Sequence, residues 1–426
     1  MSFENLENST SMKSIIKIFI LVALCLTQSA WAQRSISLDS ILAVINTNNP
    51  MLKNYRARAQ AMTSFAAGAT SLMAPEVGGG PWMLPYPGTR VMDARDKGQI
   101  MLSVQQKFTN PAKLRASQSY LHSKSLIESA DETYTFNELR AMAKTTFYQW
   151  IVLEKKKKLL QENEEVIKLV LKIGQVRYPY NQSKLGNIFK AEGRLSEIQN
   201  LILTNNNEII QKNILLNQLM NAPKDIRYQI DTTNRYSDFI PEPADTGIFA
   251  QNRSDIKKID RTILSMHLNQ ELERAQAKPD FTISYNHMFP LGAGMPGQYM
   301  LLGMVSIPIA PWSSKMYKSN VQGMGDQIEA MKHERESTLN ELQGLTAGLV
   351  NEINTLKIQI SNYEKKIIPA LRKNYETLMI AYQENREDLY QVIDGYETLL
   401  AAQTQYLDTQ NRYFETVINY EKFLEK

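Results

Sequence analysis

The sequence contains a single cysteine, Cys25, in 426 residues. It lies inside an apolar run, Ile18 to Leu26, preceded by Lys13 and Lys17 and followed by Ala30-Trp31-Ala32. A basic, then apolar, then small-residue order marks a secretory signal peptide over residues 1–32, with cleavage before Gln33. Leu24 stands where a lipoprotein signal needs a small residue, so no lipid anchor is expected. The exported chain then has no cysteine left to form a disulfide. Its stability must come from burial or from association with other chains.

Long apolar runs are also missing. After residue 32 no stretch of 18 apolar residues occurs, which excludes a membrane-spanning helix. Histidine is scarce: His122, His267, His287 and His333 are scattered, without metal-ligand spacing. There is no HExxH, no CxxC, no P-loop lysine and no nucleophile elbow, so neither an enzyme nor a bound cofactor or metal is expected. Gly292 to Gly297 does match GxGxxG, but it contains Pro296 and runs into an alternating segment. A dinucleotide site needs a helix N-terminus there. Charge of one sign is absent too: 48 basic against 44 acidic residues, net +4, gives no argument for nucleic acid.

Proline and glycine are depleted over long stretches. From Ala112 to Arg177 there is no proline, and Gly174 is the one glycine. At 1.5 Å per residue such a segment predicts a helix of about 100 Å. Within it Val152, Leu159, Val166 and Ile173 recur every seven residues, and Leu153, Leu160 and Ile167 do so one place along. Ile353, Ile360 and Ile367 repeat the pattern later. A sustained heptad keeps one seam against a partner helix. The Lys155 to Lys158 run on this helix reads as a solvated face. Pro369 falls inside a later helical stretch and is expected to kink it.

What is present is a duplication with an offset of 204 residues. Pro75-Glu76-Val77 answers to Pro279-Asp280-Phe281, and Tyr178 and Asn181 answer to Tyr382 and Asn385. Leu195, Ile202, Ile209 and Leu216 answer to Leu399, Tyr406, Tyr413 and Tyr420. The repeats are assigned to residues 33–221 and 248–426, joined by a linker over 222–247. Each carries one hairpin, near 75–108 and 279–309, and one helical tip, near 178–190 and 382–394.

The hairpin segments alternate with a period of two. Ile100, Leu102, Val104 and Phe108 alternate with Gln99, Met101, Ser103, Gln105 and Lys107. Phe281, Ile283, Tyr285 and Phe289 alternate with Thr282, Ser284 and Asn286, and Tyr299 to Ile309 continue the pattern. Ten-residue alternating segments with aromatic flanks (Trp82, Tyr86, Trp312) suit strands of a membrane barrel. The glycine- and proline-rich stretch Gly78–Gly98 and the stretch Pro290–Gly297 are predicted to be exposed loops. Four strands cannot close a barrel, and lipid forbids open edges, so several chains must share one. A periplasmic coiled-coil interaction protein with a minor sheet is the competing reading. Methionine is frequent along the second hairpin, at Met288, Met295, Met300 and Met304. Thioethers suit Cu(I), but packing accounts for them more simply and no metal is predicted.

The layout resembles the TolC-type outer-membrane efflux channel family. The resemblance is carried by Asn49-Pro50, Pro75-Glu76-Val77, Gln106-Lys-Phe108 with Lys113, Leu215 to Pro223, Asn252-Arg253-Ser254-Asp255, Tyr382 with Asn385, and Asp388 to Asp394. The arrangement around Gln106–Lys113 looks closer to the heavy-metal efflux branch. The resemblance implies a mostly α chain of long antiparallel coiled-coil hairpins with four transmembrane β-strands. It also implies a homotrimer with a twelve-stranded barrel in outer-membrane lipid and an α-helical tunnel in the periplasm. The channel would serve an inner-membrane pump through a periplasmic adaptor protein.

The resemblance places the periplasmic gate at the two tips. Asn181 and Asn385 occupy the usual glycine positions, which asparagine tolerates because it enters the left-handed region readily. Tyr178 and Tyr382 stand before them, and Tyr382 matches the family's gate tyrosine. Glu387 stands where the family has a basic residue, and Asn187 where it has an acid. The family's ion-pair latch is therefore absent, and the neighbouring Arg386 is expected to substitute. Asp394, whose repeat counterpart is Lys190, is expected to form a ring of carboxylates at the tunnel mouth. Asp388 adds acidity beside it, although a helix N-terminus favours acids for structural reasons alone.

Overall fold

In the computed structural model the described residues are 35–230, 239–241, 245–308 and 310–426. The expected signal peptide lies outside them, as does most of the linker's central part. The chain is mostly helical. In order it runs α1 (Leu38–Asn48), α2 (Pro50–Gly68), β1 (Glu76–Trp82), β2 (Gln99–Phe108), α3 (Pro111–Arg177), α4 (Leu185–Leu219), α5 (Thr246–Asn252), α6 (Ser254–Ala275), β3 (Asp280–Pro290), β4 (Gln298–Ser306), α7 (Pro311–Asn362), α8 (Ile368–Gln383) and α9 (Leu389–Leu424). The element order repeats once, as the 204-residue offset requires.

The chain divides into two compact units, each drawn from both repeats. One takes Met142–Phe239 and Asn354–Thr416 with residues up to Ile45; the other takes Asn46–Ala141, Ile240–Ile353 and Val417–Lys426.

The second unit holds the sheet. Its four strands are all antiparallel in the order β1-β2-β3-β4. The central pairing, Gln99–Phe108 against Asp280–Pro290, joins one repeat to the other. The register puts Ile100 opposite Phe289, Val104 opposite Tyr285 and Phe108 opposite Phe281. Tyr285 in turn faces Leu301, and Phe281 faces Val305. One face of the sheet is therefore apolar, and that face is the exposed one. Ile100 and Leu102 are each 47% exposed, whereas Ser284 and Asn286 on the opposite face are 5% and 6% exposed. A soluble sheet buries its apolar side; this one is inside out, the pattern of a barrel wall in lipid. Among the described residues, β1 and β4 each have an unpaired edge.

The glycine-rich stretch corrects one expectation. Gly78-Gly79-Gly80-Pro81-Trp82 reads as a loop but forms strand β1, in register with Met101–Ser103 and their neighbours. Pairing with β2 overrides the low strand propensity of these residues. Pro81, opposite Ile100, lacks an N–H and gives the ladder no donor at its position.

Strand β2 passes directly into α3. Asn110 caps the helix by accepting the Ala112 N–H at 3.0 Å, and Pro111 fills the first helical position, where its missing N–H costs nothing. The same residue reaches the other repeat: its N–H donates to Asp280 Oδ1 at 3.0 Å, and its Nδ2 donates to the Pro279 carbonyl at 3.1 Å. Lys113 Nζ closes the junction on Asp280 Oδ2 at 3.0 Å. The Asn252-Arg253-Ser254-Asp255 motif is also a clamp. Buried Arg253 holds Asp255 and the Phe423 carbonyl, while Ser254 bonds Glu425.

The first unit is built on the heptads. Leu153, Leu160 and Ile167 are the buried seam of α3, and Val152 is buried beside it. On α4 the buried series Ala191, Ile198, Asn205 includes a polar member. Asn205 Nδ2 donates to the Leu153 carbonyl at 3.0 Å, a buried polar contact of the kind that fixes helix register. Tyr396 on α9 does the same against α3, its hydroxyl bonding the Asn163 side chain. Pro369 lies in the first turn of α8, immediately after a π-helical turn at Tyr363–Ile367. The helix absorbs the proline by widening one turn rather than by ending.

Candidate functional site at the helical tips

The two tips are built alike because their turns repeat. Asn181 and Asn385 both take the left-handed conformation, with φ of 58° and 60°. In each, the asparagine N–H returns to the tyrosine three residues back: Asn181 to Tyr178 at 3.0 Å and Asn385 to Tyr382 at 3.1 Å. The next N–H returns five residues, Gln182 to Arg177 at 3.2 Å and Arg386 to Ala381 at 2.8 Å. This paired closure is the helix-ending motif that usually takes glycine, and asparagine serves here twice.

Between the turns lies an open cavity of about 480 Å³, lined by residues 181–184 and 385–388. Lys184 Nζ reaches Asp388 Oδ2 at 2.7 Å, and Asn187 Nδ2 donates to Asp388 Oδ1 at 2.5 Å. The Lys184 contact, with N–H groups at the start of α9 adding to it, holds the Asp388 carboxyl below its ordinary pKa. Beneath the cavity, Arg177 forks onto two carbonyls, Tyr382 O at 2.5 Å and Gln383 O at 2.7 Å. Its guanidinium also lies 4.8 Å from the centre of the Tyr382 ring. One arginine thus ties the end of the first repeat's long helix to the equivalent end in the second.

Further along, α4 and α9 meet through charge. Arg194 Nε binds Glu397 Oε1 at 2.7 Å, and Lys190 Nζ stands 3.7 Å from the same oxygen. Arg194 also bonds Glu197. Glu397 is held below its usual carboxylate range, chiefly by Arg194, and Arg194 is raised in turn.

The expected site residues divide. Asn187 and Asp388 come together directly. Asn181 and Asn385 sit at the cavity rim. Tyr178 is half-exposed on its turn. Tyr382 does not present its side chain to solvent: it is 2% exposed, packed with Val170, Leu389 and Val392, and its hydroxyl has no hydrogen-bond partner. Arg386 does not bridge the tips as expected. Its Nε lies 3.2 Å from Glu384 on its own turn, because the left-handed step at Asn385 directs it along the loop. Glu387 is exposed. Lys190 pairs with Glu397 rather than with its counterpart Asp394, and lies 4.1 Å over the Tyr390 ring. Asp394 is exposed on α9, and its carbonyl accepts from Thr398.

Sequence reasoning missed Arg177, Lys184, Arg194 and Glu397. Lys184 was findable: its repeat counterpart is Asp388, and opposite charges at equivalent positions of a duplicated unit face each other if the copies pack about a local two-fold axis.

Close packing under the tip uses missing side chains. A Cβ on Gly174, the heptad position after Ile167, would stand 2.8 Å from Leu389 Cδ2. A Cβ on Gly395 would stand 2.7 Å from Leu378 Cδ1. Each glycine admits a leucine from the neighbouring helix.

No family model matches the sequence, and no curated protein matches it. Solved structures do. CusC, whose structure is described in terms of transmembrane channel formation, superposes with a TM-score of 0.75 at 13% identity, covering 92% of each chain. The outer-membrane channel CmeC of Campylobacter jejuni gives 0.72 at 14% identity, over 93% of this chain and 90% of that one. The outer-membrane protein VceC of Vibrio cholerae gives 0.71 at 15% identity, over 91% and 95%. The resemblance read from the sequence thus holds along nearly the whole length, and the chain has the fold of the TolC-type outer-membrane efflux channels.

Proposed function

We propose that this protein is the outer-membrane channel component of a tripartite efflux system. Three copies pool their four-stranded sheets into a twelve-stranded barrel in outer-membrane lipid, and their helical hairpins enclose a tunnel in the periplasm. The observation that carries the reading is the inverted sheet: exposed Ile100, Leu102, Val104 and Phe281 on one face, buried Ser284 and Asn286 on the other, and two unpaired edges. Backbone groups at those edges cannot remain unsatisfied in hydrocarbon, and pairing β1 of one copy with β4 of the next satisfies them. No helix among the described residues is long and apolar enough to cross a membrane, so in this reading the strands make the whole crossing.

The duct is passive. An inner-membrane pump supplies the energy and a periplasmic adaptor protein joins the two. The tips are the gate, held shut by Lys184, Asn187 and Asp388 and by the Arg177 fork. Asp394, repeated three times around the axis, adds a ring of negative charge that favours cations.

The test is reconstitution of the purified protein into a planar bilayer. Single-channel conductance, with material that resists carbonate extraction and needs detergent, is the expected result. A freely soluble monomer without conductance would indicate a periplasmic coiled-coil interaction protein instead.

A further inference from the structure

The sheet's methionines are segregated. The strands carry Met101, Met288, Met300 and Met304, and the register places all four on the polar face. The apolar face is built from Ile100, Leu102, Val104, Phe281, Ile283 and Tyr285 with their neighbours, and holds no methionine. Packing against lipid, the simplest account of strand methionines, applies to the wrong face.

Three of the four are contiguous. Met101 stands directly opposite Met288. Met288 has Gln298 as its partner on the other side, and Met300, two residues along β4, pairs with Asn286. Met300 is therefore diagonal to Met288. Directly opposed residues have Cβ atoms about 5 Å apart and diagonal ones about 7 to 8 Å. The methionine side chain, with three rotatable bonds and a polarisable sulfur, spans these gaps. A second observation lies beside the trio. Gln99 Oε1 is buried without a hydrogen-bond partner, while Gln99 Nε2 reaches across to Gln298 Oε1 at 3.5 Å. That carbonyl oxygen stands two residues along β2 from Met101 and diagonal to Met288, and it is an acceptor that a bound cation, or water on it, satisfies.

We propose that Met101, Met288 and Met300 form a binding site for a soft monovalent cation, Cu(I) or its redox-inert surrogate Ag(I). Thioethers select such ions over hard ones. Among the described residues no group of three or more His, Cys, Asp or Glu is placed to hold a harder metal. The inference deepens the channel reading and rests on it, because the polar face becomes the barrel lumen only when three copies close the wall. The site then lies on the exit path, where binding must be firm enough to admit the ion and weak enough to release it.

The test titrates the purified full-length channel in detergent with silver nitrate in chloride-free buffer, followed by calorimetry and by X-ray absorption at the silver edge. Silver binding with sulfur neighbours is expected, weakened at least tenfold by the volume-conserving pair Met101→Leu and Met288→Leu. Met316→Leu, on α7 outside the sheet, leaves the affinity unchanged. Equal affinity in the paired variant, or silver held by nitrogen and oxygen alone, overturns the proposal. If the paired variant does not assemble, Met300→Leu on the edge strand is read instead: a threefold or larger weakening supports the site and an unchanged affinity overturns it. A protein that conducts in planar bilayers yet ignores silver overturns this inference and leaves the duct standing; one that does not conduct overturns both.

Discussion

Lys184 and Asp388 occupy the same position in the two copies of the repeat, and they are bonded to each other at 2.7 Å. Duplication placed opposite charges at equivalent sites, and the packing of the copies brought them together across the tip cavity. The lysine is largely exposed and the aspartate half-buried, so one such pair is worth about 0.5 kcal/mol. In the proposed trimer, three such pairs around one ring would reach about 1.5 kcal/mol, roughly tenfold in an open-to-closed ratio. Lys184→Met is therefore expected to raise the open probability of the reconstituted channel by up to about tenfold, with little change in thermal stability. Single-channel recording checks it. Arg386→Ala, which removes only a contact within one turn, is expected to leave conductance unchanged.

Acid should open the same latch. Asp388 and Glu397 both have folded-state pKa values below their ordinary ones. A depressed carboxylate contributes stability above its unfolded pKa, about 3.9 for Asp and 4.3 for Glu, and loses it as pH falls through the lower folded value. Conductance should thus be flat from about pH 8 to pH 5 and rise only below about pH 4. Asp388→Asn should remove part of that acid response and show raised conductance already at neutral pH. A conductance–pH curve that instead breaks near pH 6 to 7 would assign the latch to other groups.

Arg177 is expected to matter more than any ion pair at the tip. Its planar fork meets two carbonyls at once and its face lies on the Tyr382 ring. Lysine can meet a carbonyl or the ring, but it lacks the planar fork that makes these contacts together. Arg177→Lys should cost about 1 kcal/mol, through a hydrogen bond lost from the fork, since the Tyr382 carbonyl keeps the Asn385 N–H and the Gln383 carbonyl is open to water. Hydrogen exchange should report it as faster exchange confined to residues 378–390, while the strands keep their protection.

How much of this was legible in the sequence depends on the range of the interaction. The heptads of α3 and the alternation of β2 and β3 are local patterns, so helix and strand positions could be read directly. The 204-residue offset is visible in the sequence because it needs no partner chain. The Gly78–Trp82 strand was not legible: its glycines carry no pattern, and only the register with β2 makes them a strand. The tip contacts failed for a related reason. Arg177 acts on backbone carbonyls, which have no sequence signature, and the geometry of a left-handed turn decides that Arg386 points along its own loop. Tyr382 has the right identity at the right position, yet heptad packing draws its ring into the core.

Tyr396 offers a test of the buried polar contacts in the coiled coil. Its hydroxyl bonds the side chain and carbonyl of Asn163 in a buried setting, and burial raises its pKa well above the usual range. Tyr396→Phe keeps the ring and leaves the Asn163 oxygen unpaired, which should cost about 1–3 kcal/mol. Adding Asn163→Leu removes the orphaned group as well, and the double variant should recover much of that loss in thermal unfolding. A double variant no more stable than Tyr396→Phe alone would mean that the contact sets register rather than stability.

The most damaging single change is expected where strand turns into helix. Lys113 and Asp280 are each 12% exposed and lie 3.0 Å apart, one in each repeat. Asp280 also accepts the Asn110 N–H, so its charge anchors the cap of α3 to the start of β3. Breaking a buried pair by removing one partner typically costs about 3–5 kcal/mol, because the remaining charge stays buried without its counterion. Lys107, 3.8 Å from the same carboxylate and more exposed, offsets part of this loss. Lys113→Met should therefore fall near the lower end, about 3 kcal/mol, and should reduce the yield of detergent-stable oligomer on mild gels. Lys107→Met alone should have little effect, and Lys107→Met combined with Lys113→Met should abolish assembly. If Lys113→Met assembles as the parent does, the junction is held by the Asn110 hydrogen bonds and not by charge.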